Sequence, residues 1–398
     1  MHLQSSNRLM VLLSVMMFVT QCAHSQTLTV LHSFGGPDGE YPVAALTLDQ
    51  AGNLYGTTFL GGSRNLGTVF RLMHRSSGWV FGSLYSFQGP DGANPASPLI
   101  FGRGGALYGT ASYGGQTGNG VIFALRPPST ICRTSLCPWH ETLLYSFTGG
   151  IDSEEPQGQL AFDSAGNLYG VAYGYYIAGM NPPPSDAGSV WELARSNNGW
   201  AFSVLHSFHG GDGANPIGGV TFDPAGNLNG TTTLGGAQND GTVFQLKLNG
   251  SVWQESVLHS FDSEVGIRPS VIADAAGNLY GATDFTGDVY ELTPSGTGWS
   301  FANIFHFLGS VANNLAIDSH GNLYGASNSG GFNNAGFIFK LSFVQGSWTF
   351  TNLYNFTGGN DGGSPWGGVI VDAQGNIYGT CQGGGANGGQ GTVWVLQQ

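Results

Sequence analysis

Short runs of apolar residues, often alternating with polar ones, follow one another down the chain, separated by clusters of Gly, Asn, Asp and Pro. Such runs read as β-strands and such clusters as turns. One stretch illustrates the pattern. Pro42 to Leu48 (PVAALTL), Asn53 to Thr58 (NLYGTT), Thr68 to Leu72 (TVFRL) and Trp79 to Phe87 (WVFGSLYSF) form four successive strands. Asp49, Gly52 and Asn53 lie at the first hairpin corner, where the aspartate caps the turn and the glycine takes a positive φ.

The pattern returns seven times. A segment of the form D-x-x-G-N-L-Y-G has its first glycine at Gly52, Gly105, Gly166, Gly226, Gly277, Gly321 and Gly375. A second motif, G-T-V-F-x-L, begins at Gly67, Gly120, Gly188, Gly241, Gly287, Gly336 and Gly391. A third, L-H/Y-S-F or a looser variant, ends at Phe34, Phe87, Phe147, Phe208, Phe261, Phe307 and Phe356. Four antiparallel strands at this period describe a blade, so the expected fold is all-β: a seven-bladed β-propeller.

A tryptophan stands eight residues before the closing phenylalanine in six copies: Trp79, Trp139, Trp200, Trp253, Trp299 and Trp348. Even spacing predicts that Trp and Phe share one strand face, available to a neighbouring blade. In the N-terminal copy the matching position is Gln26, and Thr27 to Phe34 is a fourth strand with no first three before it. The last copy, from Pro365 to Leu396, has three strands and no fourth. The N-terminal strand is therefore expected to complete the C-terminal blade and close the ring.

In combination, GNLYGTT, GTVFQL and VLHSF resemble the GloVer tandem repeat of exported bacterial proteins, from about Thr27 to Leu396. The resemblance implies a repeat architecture and export, and it carries over no catalytic residue. Members often end in a surface-anchoring or sorting segment. Here the sequence stops at VLQQ directly after a strand, so no cell-wall anchor is expected.

Composition agrees with the strand reading. Charged residues make up 9 % of the chain, against roughly 25 % in an ordinary soluble domain, too few for the outer faces of many helices. Aromatics at 12 % argue against disorder despite 67 glycines. Those glycines are expected at hairpin corners and inter-strand loops, where positive φ is needed. The net charge of −13 repels phosphate backbones and anionic membranes, which excludes nucleic acid as a partner.

The first 25 residues read as a secretory signal and 26–398 as one propeller domain. Arg8 precedes an apolar run from Leu9 to Thr20, too short to span a bilayer, and Ala23-His24-Ser25 offers small residues at a cleavage site. The expectation is an exported monomer, extracellular or in the periplasm or cell envelope, with no transmembrane segment after cleavage. Lipidation at Cys22 is disfavoured by Gln21 before it. Export permits a disulfide between Cys132 and Cys137, while Cys381 reads as a buried small residue.

Candidate chemistry is sparse. No nucleophile elbow, zinc-protease pair, Walker loop or dinucleotide fingerprint is present, so no catalytic residue is named. The aspartates closing the first strand (Asp49, Asp163, Asp223, Asp274, Asp318, Asp372) read as turn caps. His32, His206 and His259 share a position with Tyr85, Tyr145, Tyr354 and Phe305, which favours packing with one hydrogen bond over metal binding. Loops of the form G-x-D-G-x-x-P place Asp38, Asp91, Asp212 and Asp361 as candidate calcium ligands, though one carboxylate per loop falls short of six to eight oxygens. No other cofactor is indicated. Blade three carries Tyr173, Tyr175 and Tyr176 ahead of three prolines, and these tyrosines, with Trp366 near the rim, form the expected ligand face.

The expected function is a binding or scaffold module for a neutral glycan or a protein surface. The alternative is a carbohydrate-active lyase or hydrolase with acidic residues at the ring centre. The acids to inspect for it are Asp284, Asp288, Asp152, Glu154, Glu155 and Asp186. A structural envelope protein without a small ligand is the third reading.

Overall fold

The computed structural model describes residues 26–128, 139–175, 187–197, 199–262, 270–284, 286–296, 298–307 and 314–398. Within them the seven sequence copies form seven four-stranded antiparallel sheets, the blades of a β-propeller. Blade 1 spans 47–86, blade 2 100–146, blade 3 154–207, blade 4 220–260, blade 5 272–306 and blade 6 316–355. Blade 7 combines 369–397 with the N-terminal strand Thr27–Ser33. That strand runs antiparallel to Thr392–Gln397, from Thr27 opposite Gln397 to Ser33 opposite Thr392, so the ring closes as expected. Among the described residues no helix is long and apolar enough to cross a membrane.

The turn caps are built as the repeats suggest. In blade 1, Asp49 Oδ1 accepts the backbone N–H groups of Ala51 and Asn53. Asp49 Oδ2 accepts from the Asn53 amide and the Tyr55 hydroxyl. Blades 3 to 7 repeat the amide contact.

The glycine expectation needs a correction. The glycine of L-Y-G sits in the middle of the second strand at ordinary strand φ, and an aromatic ring from the third strand lies across it. A Cβ on Gly56 would come 2.5 Å from Phe70 Cζ, and one on Gly170 2.4 Å from Trp191 Cζ2. Phe70, Phe123, Trp191, Phe244, Tyr290, Phe339 and Trp394 hold this place around the ring, all fully buried. A side chain there would overpack the blade centre, so close approach rather than a turn requires the glycine.

The shared face of Trp and Phe is also corrected. Every outer strand carries a β-bulge at the leucine or isoleucine of its closing motif. In blade 1, Val69 pairs with Tyr85 and Phe70 with Ser83, leaving Leu84 between them without a partner. One extra residue inverts the side-chain alternation beyond it. Trp79 therefore packs backward, 6.3 Å from Tyr378 of blade 7, while Phe87 packs forward, 5.1 Å from Phe123 of blade 2. Trp200 and Phe208 of blade 3 repeat this against Tyr108 and Phe244. The outer strands of blades 1 and 3 thus grip both neighbours.

The inner strands are shorter than the apolar runs. Blade 1 pairs only Thr47–Leu48 with its own second strand. Nearer the ring centre, adjacent blades converge and hydrogen bonds pass between them. Gln159 N–H donates to Gly218 O at 3.0 Å, and the Thr380 hydroxyl to Ala44 O at 3.3 Å.

Candidate functional site

The loops entering each blade and the loops between second and third strands share one face of the ring. Their backbones pair directly: Glu40 with Leu60, Ala93 with Tyr113, Ala214 with Leu234, Gly363 with Gly383. Below them, at the ring centre, a cavity of about 300 Å³ opens on this face. Its walls include Val43, Gln157, Ile217 and Trp366, the residues one step past the entry prolines of blades 1, 3, 4 and 7. Phe59, Gln382 and Asn314 complete its aromatic and amide lining. Among the described residues that line it, none is ionisable.

A second cavity of about 410 Å³ lies among the inner strands and is mostly aliphatic. Asn314 belongs to both cavities, and its amide donates to Gln159 Oε1 at 3.4 Å from the other side of the ring. Blades 3 and 6 thereby touch across the channel.

Of the expected ligand residues, Trp366 lines this cavity, and Tyr173 and Tyr175 are not among its described lining residues. Tyr173 holds the register of Phe59 and Gln382, but it is half-buried and its hydroxyl accepts from the Asn215 amide at 3.1 Å. Tyr175 is 63 % exposed. Tyr176, the Cys132–Cys137 pair, Cys22 and Asp186 lie outside the described residues. Cys381 is buried, and burial pushes its thiol well above the usual range, as a packing residue requires.

The four loop aspartates are separated, one to a blade junction, and each is occupied locally. Asp38 Oδ2 meets His32 Nε2 at 2.7 Å and Asp212 Oδ2 meets His206 Nε2 at 2.9 Å. Asp91 accepts from the Tyr85 hydroxyl, and Asp361 from Tyr354 at 3.0 Å. Their second interactions are with backbone N–H groups of Gly35, Gln88, His209 and Thr357. The residue pair is thus a device of the repeat: the polar tip of the closing motif fastens the next loop.

Asp152 joins the same device, which corrects its reading as a non-repeating acid. It accepts from the Tyr145 hydroxyl at 2.9 Å and from the Thr148 N–H at 2.8 Å. The spacing from Tyr145 matches that from Tyr354 to Asp361, and the equivalence is hidden because Ser153 follows Asp152 where the other four loops have glycine. Against burial, these hydrogen bonds hold the Asp152 carboxyl below its usual range, while Tyr145 is pushed up to about 12 by burial and by Asp152.

The remaining acids do not converge. Asp288 faces Thr286, Asn303 and His306 on its own blade. Glu155 accepts from Gln157. Asp284 is buried and holds in blade 5 the register of Phe59 and Gln382.

On the outer strands, the same His/Tyr position meets the next blade in two ways. His32 stacks on Phe81 at 3.9 Å, Tyr145 on Phe202 at 3.8 Å, and His259 on Phe301 at 3.9 Å. In blades 2 and 4 the register of that phenylalanine is held by Glu141 and Glu255, opposite Leu125 and Leu246. Burial raises both carboxyls to about 7, with the neighbouring Asp91 or Asp212 adding to it; His206 works in the opposite direction on Glu255. Sequence reading missed both glutamates, because their register shows only once the strands are aligned across the bulge.

The sequence profile of the Gloeobacter/Verrucomicrobia repeat matches residues 16–181 and 173–288. No functionally curated protein matches the chain. Among solved structures, virginiamycin B lyase from Staphylococcus aureus is similar at TM-score 0.58 and 11 % identity, over 94 % of this chain and 99 % of that one. A candidate 6-phosphogluconolactonase from Bacteroides uniformis is similar at TM-score 0.53 and 15 % identity, over 81 % and 86 %. The extracellular domain of a one-component system from B. thetaiotaomicron gives TM-score 0.55 at 11 % identity, covering 93 % of this chain and 40 % of that one. At such identities the likeness is one of fold alone.

Proposed function

The chain belongs to the Gloeobacter/Verrucomicrobia repeat family, and on that premise we propose that it is an exported binding module whose channel mouth takes a neutral glycan. The observation carrying this reading is the lining of the central cavity. A half-buried indole, Trp366, stands beside the amides of Gln157, Asn314 and Gln382, with no ionisable side chain among the described lining residues. Apolar ring faces of a sugar stack on indole, and amides both donate to and accept from its hydroxyls. The volume of about 300 Å³ sits at the lower end of small-molecule pockets, suited to the end of a chain or one residue of it. Paired-carboxylate hydrolysis needs two acids in unlike surroundings at one centre. Among the described residues Asp284 is the one carboxylate at the register of Phe59 and Gln382.

Export rests on the apolar run Leu9 to Thr20 and the small residues before Gln26. Amino-terminal sequencing of the secreted protein is expected to begin at Gln26. The ligand is tested by a screen of neutral oligosaccharides against wild type and Trp366→Ala. A hit weakened at least tenfold by the substitution supports the reading. Failure of every glycan, or equal affinity of both proteins, overturns it.

A further inference from the structure

At the junction of blades 3 and 4 a glutamate and a second histidine stand beside the usual pair, a combination that no other junction carries in the sequence. His206 of the closing motif and Asp212 of the following loop make the usual pair, at 2.9 Å. Across from them, Glu255 takes the register where most blades carry phenylalanine. The residue after the closing phenylalanine is His209, and its Nδ1 lies 3.9 Å from the same Asp212 Oδ2. Elsewhere that position is Gly35, Gln88, Thr148, Asp262, Leu308 or Thr357. Ligand atoms of His206, Asp212 and Glu255 all fall within 4.8 Å of one another. Glu255 Oε1 is shielded from water and has no hydrogen-bond partner among the described residues.

We propose that His206, Asp212 and Glu255, with His209 closing over them, form a binding site for one divalent transition-metal cation, Zn²⁺ foremost. Tetrahedral zinc with ligands at about 2.0–2.1 Å holds neighbouring donor atoms about 3.3 Å apart. The present pair at 2.9 Å needs only a small spreading to admit the ion. A ligand atom of Glu255 already lies within 4.8 Å of the other two, and His209 Nδ1 stands 3.9 Å from Asp212 Oδ2. Two carboxylates and imidazole nitrogen suit zinc, while calcium prefers six to eight oxygens and gains nothing from histidine. The ion supplies the partner that Glu255 Oε1 lacks. The exposed His209, at 73 %, leaves the site open to solvent on one side.

The molecule contains its own controls. Between blades 1 and 2, Tyr85, Asp91 and Glu141 occupy the same three registers, with Gln88 in place of His209. Burial and Asp91 keep the Tyr85 phenol protonated, which makes it a poor ligand. Between blades 7 and 1, His32 and Asp38 are present, but Phe81 replaces the glutamate.

The test is calorimetric titration of the metal-stripped mature chain with Zn²⁺, and separately with Ca²⁺. One zinc per chain is expected, with release of protons. His206→Tyr installs the residue three other blades use, so it is expected to fold with an unchanged circular dichroism spectrum and to bind zinc about 100-fold more weakly. Glu255→Gln should weaken it at least tenfold. The double substitution Tyr85→His with Gln88→His should raise the stoichiometry to two. The proposal is overturned by absence of saturable zinc binding, by calcium binding in preference to zinc, or by zinc affinity untouched in folded His206→Tyr. A stoichiometry that stays at one in the double variant overturns the claim that these four residue types suffice. None of these outcomes depends on the channel-mouth ligand.

Discussion

The junction of blades 2 and 3 and the junction of blades 3 and 4 share one backbone register and differ in what faces the closing motif. At the first, Tyr145 lies flat on Phe202, with rings 3.8 Å apart and nearly parallel. At the second, His206 faces Glu255 where Tyr145 faces Phe202, and its ring contact is the edge of Phe208 in its own closing motif. The ring absorbs the exchange because each junction has a second, deeper attachment. Phe147 and Phe208, both fully buried, reach forward to Trp191 and Phe244 in the same way at both junctions. Packing is thus secured at the inner position, and the outer one is free to carry either more packing or ionisable groups.

The most severe way to break this comparison is to remove a whole forward-reaching strand. Deleting residues 27–34 takes away His32 and Phe34 from the junction with blade 1 and exposes the edge at Thr392–Gln397. Unpaired backbone and lost aromatic contacts at one point open the entire ring. The deletion should abolish the cooperative thermal transition of the full chain. A wild-type melting curve would show that closure contributes nothing.

A smaller effect separates the two junction types. Phe202→Ala should cost about 2–3 kcal/mol, because a half-buried ring stacked on Tyr145 and in edge contact with Phe147 is lost. Glu141→Ala, at the matching register of blade 2, should change stability by only about 0.5 kcal/mol at pH 5, where its carboxyl is protonated. Urea unfolding of both variants measures the difference, and equal losses would contradict a packing role confined to the phenylalanine junctions.

The last effect is one of pH, weakened by solvent screening because Glu141 is only half-buried. Burial, with Asp91 beside it, raises the Glu141 carboxyl to about 7 from 4.5. The folded state therefore binds a proton between these values that the unfolded state has released, and stability falls as pH rises through this window. Glu141→Gln cannot ionise. Its stability relative to wild type should rise from pH 5 to pH 8 in metal-free buffer, and a difference flat with pH would place the carboxylate in water.

The blades, their number and the closing strand were legible because each repeat copy states the same strands and turns, and Gln26 to Phe34 supplies the one strand the last copy lacks. The Asp49-type caps were legible too, since the capping atoms lie within a few residues of each other. The link between His32 or Tyr85 and the following loop aspartate was written in the sequence as a short spacing ending in Asp-Gly, disguised at Asp152 by Ser153 in place of the glycine. Trp366 lines the central cavity beside residues far from it in the chain.

What the sequence by itself determined was everything local: strand and turn chemistry depends on neighbours along the chain, and repetition made that chemistry unmistakable. Tertiary structure decided which side chains meet. The bulge at Leu84 and its equivalents inverts the face of every residue beyond it, and no single-strand spacing reveals that a ladder skips one position. For that reason Trp79 and Phe87 serve opposite neighbours, and Glu255 comes to His206 from another blade. Gln157, Asn314 and Trp366 surround one cavity because a closed ring brings the same register of distant blades to its centre.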